Sequence, residues 1–173
     1  MKISTGEAAF SFHIKTEFGD ISLNEKGENL SVFLNEQKKD KDKVFHWPGE
    51  YEMGGIAIFL QNIGAKSFIG KVFVEQVRVV FFTDEDLKNA EDETSLKDAF
   101  GNTDVLIFKK GENGLTETQV KKLIDDIDPQ ILVATGIETK ELFKKMALPV
   151  QAKESLTFTK KSLPQEHTEY YSL

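Results

Sequence analysis

The period of the hydrophobic pattern changes along the chain, and this change limits the folds that are open to it. The first third, from Ala9 to Asn35, alternates apolar and polar residues as "AFSFHIKTEFGDISLNEKGENLSVFLN". Such alternation is typical of strands that bury one face, with glycine-containing turns between them. We therefore expect Phe12 and Ile14 on the buried face, and His13 on the polar, solvent-exposed face.

The last third alternates short apolar runs with amphipathic segments. "TDVLIFKK" and "QILVATG" predict buried strands, while "GLTETQVKKLIDDIDP" and "TKELFKKMAL" predict helices. Thr116 is placed to cap the first helix, and Gln119 three residues later completes a capping box. This order indicates a βαβ-like half attached to an antiparallel meander, which is an α/β fold. "LTFTKKSLP" predicts a final strand.

The middle of the chain predicts further strands, separated by polar segments. We expect strands at Ile56 to Gln61, Ser67 to Val74 and Arg78 to Phe82. The charged stretch 35–43 predicts a loop, and the acidic stretch 83–99 predicts a short helix or a mobile segment.

Composition excludes several classes of function. The 173 residues are enough for one domain, 1–173, with a core rich in the 14 phenylalanines. The absence of cysteine excludes disulfides, thiol nucleophiles, iron–sulfur clusters and cysteine-based zinc sites. A net charge of −7 with interspersed lysines predicts no nucleic-acid partner. Without a signal peptide or an apolar span, we expect a cytoplasmic protein with no membrane partner.

One stretch, "VFHWPGEYEMGGIAIF", carries the residues most able to bind a metal. His46, Glu50 and Glu52 are suitable ligands. However, the Pro48-Gly49 turn separates the histidine from the glutamates, and no second histidine is near. The sequence favours a structural turn here over a metal site.

Two other kinds of site are disfavoured by the residues themselves. Asp84 and Asp86 could begin a calcium loop, but Lys88 and Asn89 stand where an oxygen ligand and a glycine are needed. The chain contains no G-x-S-x-G elbow, no P-loop and no G-x-G-x-x-G turn. No nucleotide site or serine nucleophile is therefore predicted.

Several phrases resemble the metallo-β-lactamase superfamily, in its lactonase-like or metal-dependent hydrolase branch. They are "WPGEYEMGGIAI", "RVVFFTDEDL", "TDVLIFKKGENGLTETQVKKLIDDIDPQILVATGI" and the ending "LTFTKKSLPQEHTEYYSL". Together they cover most of the chain. The resemblance implies a sandwich of β-sheets flanked by helices, shortened here in its N-terminal half.

The resemblance also implies that the metal ligands of that family are missing. The family's H-x-H-x-D-H motif falls in "SVFLNEQKKDKDKVFHW", where His46 is the only histidine. An isolated histidine has no counterpart in "FLQNIGAKSFIGK", and the last one falls at Gly136. The bridging aspartate matches Asp84, which remains. One carboxylate cannot hold the dinuclear centre that activates a bridging water.

These observations predict a domain without a cofactor that has lost hydrolytic activity. The expected role is a scaffold or protein-interaction module with an unknown protein partner, and a homo-oligomer is one form of it. A third possibility, ranked last, is a protein that binds an apolar ligand with its phenylalanines, which a large aromatic-lined cavity would indicate. The main alternative is a hydrolase of a phosphoester or lactone. It would use a rebuilt mononuclear zinc or manganese site made of Asp84, His46 and Glu50 or Glu52, and those side chains would then have to converge.

Overall fold

A computed structural model of the chain describes 14 strands, two α-helices and one 3-10 helix, within residues 1–6, 11–26, 29–36, 43–45, 48–63, 67–84, 99–111 and 114–173. The strands are β1 Lys2–Thr5, β2 Ser11–Lys15, β3 Gly19–Lys26, β4 Asn29–Glu36, β5 Lys43–Phe45, β6 Gly49–Met53, β7 Ile56–Ile63, β8 Ser67–Val74, β9 Val77–Thr83, β10 Val105–Lys109, β11 Ile131–Thr135, β12 Gln151–Ala152, β13 Ser155–Thr157 and β14 Glu169–Ser172. The helices are α1 Glu117–Ile127, α2 Ile137–Lys145 and the 3-10 helix Lys160–Ser162.

The strands form two sheets that pack face to face. The six-stranded sheet has the order β13-β1-β2-β3-β4-β5 and is antiparallel throughout. The eight-stranded sheet has the order β12-β14-β11-β10-β9-β8-β7-β6. Its strands β6 to β9 are antiparallel neighbours, whereas β9, β10, β11, β14 and β12 run parallel. The predicted division into a meander and a βαβ half is confirmed.

A first core fills the space between the sheets. The alternation in β2 places Phe12 and Ile14 in it, as the sequence predicts. Gly70 faces the same core, directly across from Phe81. A Cβ at position 70 would overlap the Phe81 ring, so the glycine makes room for that ring.

A second core lies between the helices and the other face of the eight-stranded sheet. Rings from two strands and two flanking segments form a continuous row there. Phe100 meets Phe82 edge-on at 5.2 Å between centroids, Phe82 stacks on Phe108 at 5.7 Å, and Phe108 stacks on Phe143 at 6.2 Å. The phenylalanine-rich composition is therefore used for packing.

The helices form where local chemistry predicts them. Thr116 caps α1, its Oγ1 accepts the N–H of Gln119, and the Gln119 side chain accepts the N–H of Thr116, so the predicted capping box is present. Val120 and Ile124 of α1 are buried in the second core. None of the helices in the described residues is long and apolar enough to cross a membrane.

Several predicted boundaries are wrong at the C-terminus and within the polar stretches. The predicted strand at 156–164 ends at Thr157, because a 3-10 helix follows it. The last strand is instead Glu169–Ser172, which lies between two parallel neighbours. The ends of the predicted loop 35–43 belong to β4 and β5, and its middle, 37–42, lies outside the described residues. Most of the acidic segment, 85–98, also lies outside them.

Candidate functional site

Asp84 lies directly after β9, at the edge of the sheet where the parallel strands end. Lys110 follows β10 and Gly136 follows β11 at the same edge. In α/β proteins ligands commonly bind at the carboxyl ends of parallel strands. The Asp84 side chain has no solvent exposure. Alternation along β9 places it on the helix side of the sheet, with Val80 and Phe82.

The Asp84 carboxylate is bound by donors of the protein itself. One oxygen, Oδ1, accepts the backbone N–H of Gly111. The other, Oδ2, accepts the N–H of Leu115 at 2.8 Å and faces the Lys110 ammonium at 3.4 Å. Asp84 thus fixes the positions of both ends of the loop between β10 and α1.

Gly114 shows how closely that loop wraps the carboxylate. A Cβ atom at this position would overlap the carboxylate of Asp84. The backbone of Gly114 has no positive φ, so an unusual backbone conformation does not require glycine here. Glycine is required because a side chain would have no space. The loop and the carboxylate fit each other.

Two opposing effects act on the pKa of Asp84. Burial penalises the charged form and raises the pKa above its ordinary value of 3.8. The hydrogen bond from Gly111 and the charge of Lys110 oppose this shift.

Lys110 is a residue of this site that the sequence did not predict. Because residues 106 and 108 face the helices, alternation places residue 110 on the same side as a buried acid that needs a cation.

Glu50 and Glu52 do not converge with Asp84. Both lie exposed on β6, the edge strand, which is separated from β9 by β7 and β8. Three strand spacings alone amount to about 14 Å. The two glutamates therefore lie too far from Asp84 to bind one metal ion together with it.

The remaining candidate, His46, lies outside the described residues, as does Trp47. Among the residues that are described, no three histidine, cysteine, aspartate or glutamate side chains are grouped so that they could hold a metal ion. His13 is half-buried and not exposed, and its Nδ1 lies 2.9 Å from the Ser22 hydroxyl on the outer face of the six-stranded sheet.

The direction of β4 places its last residue, Glu36, far from Asp84. β3 and β4 form an antiparallel hairpin, so Glu36 pairs with Gly19. The turn before Gly19 contacts the opposite end of the other sheet, because the N–H of Glu17 binds Glu75 at 2.9 Å. Glu75 precedes β9, whereas Asp84 follows it, and a seven-residue strand is about 23 Å long. β4 therefore finishes at the end of the two sheets that is far from Asp84.

A comparison with solved structures identifies the fold. The chain matches a protein of Thermotoga maritima that is assigned by its name to the Zn-dependent hydrolases of the metallo-beta-lactamase superfamily. The TM-score is 0.67 with 14% sequence identity, and the match covers 100% of both chains. The chain has a metallo-β-lactamase fold. This confirms the predicted fold class, and the shortened N-terminal half stays a prediction. No protein-family model and no curated protein sequence matches the chain.

Proposed function

We propose that this chain is a non-catalytic metallo-β-lactamase-like domain that serves as a scaffold or protein-interaction module. One observation carries the proposal: the carboxylate of Asp84, which the sequence resemblance matches to the family's bridging aspartate, is buried and bound by the protein's own donors. Asp84 serves to hold a loop in place.

The charge balance around Asp84 supports this proposal. A ligating carboxylate must direct lone pairs at the metal, and a divalent ion needs three or four such ligands. Here the Lys110 ammonium faces Oδ2, and the N–H groups of Gly111 and Leu115 use both oxygens. A metal ion would have to displace Lys110 and release the loop before α1.

The chain direction gives a second, independent support. A dinuclear centre needs ligands from the segment after β4 and from the residue after β9 at one place. That segment is attached at Glu36 and Lys43, and both attachments lie at the sheet end far from Asp84. No described residue supplies replacement ligands near Asp84.

Under this proposal the domain acts by binding another molecule at its surface. A protein partner or a second copy of the chain is the expected binding partner, with no nucleic acid, membrane or metal cofactor involved. Light scattering at several protein concentrations distinguishes self-association from a monomer that needs another protein.

Metal binding tests the loss of the site directly. Protein purified without chelator and dialysed against trace zinc and manganese is expected to carry only background metal by elemental mass spectrometry. Neither ion should raise the melting temperature, whereas a bound ion at 100 times its Kd stabilises a protein by about 2.7 kcal/mol. The matched variants are Asp84→Asn, which removes the charge of the carboxylate, and Lys110→Met, which removes the ammonium group that faces it. Near-stoichiometric metal that disappears in Asp84→Asn would overturn the proposal.

A further inference from the structure

The outer face of strands β6 to β9 carries two mixed rows of side chains. The first row across the sheet is Glu50, Phe59, Lys71 and Val80, and the second is Glu52, Ala57, Phe73 and Arg78. Phe59 and Phe73 are 37% and 40% exposed, which marks them among the few large apolar side chains that stand in solvent. α1 and α2 pack over the other half of this sheet.

The part of these rows that lies on β7 to β9 forms the floor of a cavity of about 420 Å³. The segment Phe100–Asn102 forms its wall, beside the edge-on contact of Phe100 with Phe82. The volume lies within the range of small-molecule sites in proteins, about 300–1,000 Å³. The floor is built on paired strands, so its shape is fixed by the sheet.

The charged groups that line the cavity are both cations. Arg78 places its guanidinium 5.5 Å from the centre of the Phe73 ring, and Lys71 lies between Phe59 and Val80. Neither cation forms an ion pair with a described residue. Partial burial lowers the pKa of Lys71, and the charge of Glu50, two strands away in the same row, opposes that shift. Among the residues that the structure describes, the cavity thus holds two positive charges that no ion pair neutralises.

We infer that this cavity binds a small organic anion with an apolar body. The acidic group lies at Lys71 and Arg78, and the body packs on Phe59, Phe73 and Val80. A neutral ligand would leave both cations uncompensated. A polyanion such as nucleic acid would extend over β6 and meet the exposed carboxylates of Glu50 and Glu52. This inference does not depend on the proposed function, because neither Asp84 nor the residues that bind its carboxylate line the cavity.

Two fluorescent probes that differ in charge test the inference. 8-Anilino-1-naphthalenesulfonate is an aromatic anion, and N-phenyl-1-naphthylamine is its uncharged analogue. We expect saturable 1:1 binding of the sulfonate, at least about tenfold tighter than that of the neutral analogue. Lys71→Met and Arg78→Met should each weaken sulfonate binding about tenfold and leave the neutral probe unchanged.

Two further variants separate binding from folding. Glu50→Gln removes the competing carboxylate from an exposed position, so it should tighten sulfonate binding about two- to fivefold without unfolding the protein. Ile137→Ser removes an apolar side chain that is 76% exposed on α2, outside the cavity, and should change nothing. Circular dichroism confirms that each variant is folded.

The opposite results would overturn the inference. Equal affinity for the two probes would show apolar adsorption without charge recognition. Unchanged sulfonate affinity in folded Lys71→Met and Arg78→Met, or a loss in Ile137→Ser equal to theirs, would place the probe elsewhere. Weaker binding in Glu50→Gln would contradict the assigned role of the cations.

Discussion

The two halves of the eight-stranded sheet differ in what lies on their outer face. Over the parallel half, α1 and α2 bury a row of phenylalanine rings, and Asp84 is fully enclosed on the same side of the sheet. Over the antiparallel half, two phenylalanines and two cations stand at the surface around a cavity. The covered half therefore supplies stability, and the open half is the surface available for recognition.

The largest expected loss of stability comes from removing one phenylalanine ring from the row on the covered half. Phe143 is fully buried and stacks on Phe108. Phe143→Ala should lower the free energy of unfolding by about 3–5 kcal/mol, because it removes apolar contacts and leaves a cavity. Urea unfolding followed by circular dichroism measures the change. A loss below 1 kcal/mol would mean that α2 does not pack on the sheet as described.

A smaller effect is expected where the loop before α1 wraps Asp84. Gly114→Ala adds a methyl group against the carboxylate, and we expect a loss of about 1–3 kcal/mol. The matched test repeats Gly114→Ala in an Asp84→Ala background, where the overlap is gone. A coupling of about 0.5–3 kcal/mol between the two sites is expected. Strict additivity would show that the loop does not contact the carboxylate.

The cap of α1 and the surroundings of Asp84 differ in how far the sequence predicts them. Thr116 and Gln119 lie three residues apart, so the cap of α1 is legible from local chemistry. The partners of Asp84 lie 27 and 31 residues further along, and only the tertiary structure brings them together. The resemblance could point to Asp84 but could not show that a lysine and two N–H groups occupy it.

The last strand and the hairpin of β3 and β4 show the same limit. β14 has no alternation between buried and exposed residues, since all four are half-buried between parallel neighbours, and so no pattern announces it. The glycine-containing turns between the first strands do predict a hairpin between β3 and β4. Its consequence, that β4 finishes far from Asp84, depends on how the two sheets meet.

The two ends of β9 carry carboxylates with opposite pH behaviour. Although partial burial alone would raise the pKa of Glu75, hydrogen bonds from the Met1 ammonium at 2.9 Å and from the N–H of Glu17 outweigh it, and the pKa lies below 4.5. The unfolded state therefore takes up the proton first, and the stabilisation by Glu75 is complete above pH 4.5 and lost as the pH falls through the lowered folded-state pKa. Asp84 has a raised pKa, so its contribution weakens as the pH rises above 3.8.

Glu75→Gln isolates this difference. We expect a loss of about 1–2 kcal/mol at pH 7, because two charge-assisted hydrogen bonds are weakened. The loss should shrink as the pH falls below 4.5, where wild-type Glu75 is itself becoming protonated. Urea unfolding of both proteins at several pH values measures this convergence. A difference that stays constant down to pH 3 would show that Glu75 acts by its shape and not by its charge.

The smallest expected change in the free energy of unfolding comes from a substitution on the open half. It tests directly whether the outer faces of the two halves differ in burial. Phe73→Thr keeps a residue that favours strands while it removes an exposed ring. If this face stands in solvent, the free energy of unfolding should change by no more than about 0.5 kcal/mol, against several for Phe143→Ala. Unfolding at low and high protein concentration completes the test. A loss above 2 kcal/mol would mean that the ring is covered in solution, and if that loss grew with concentration, a second copy of the chain would be the cover.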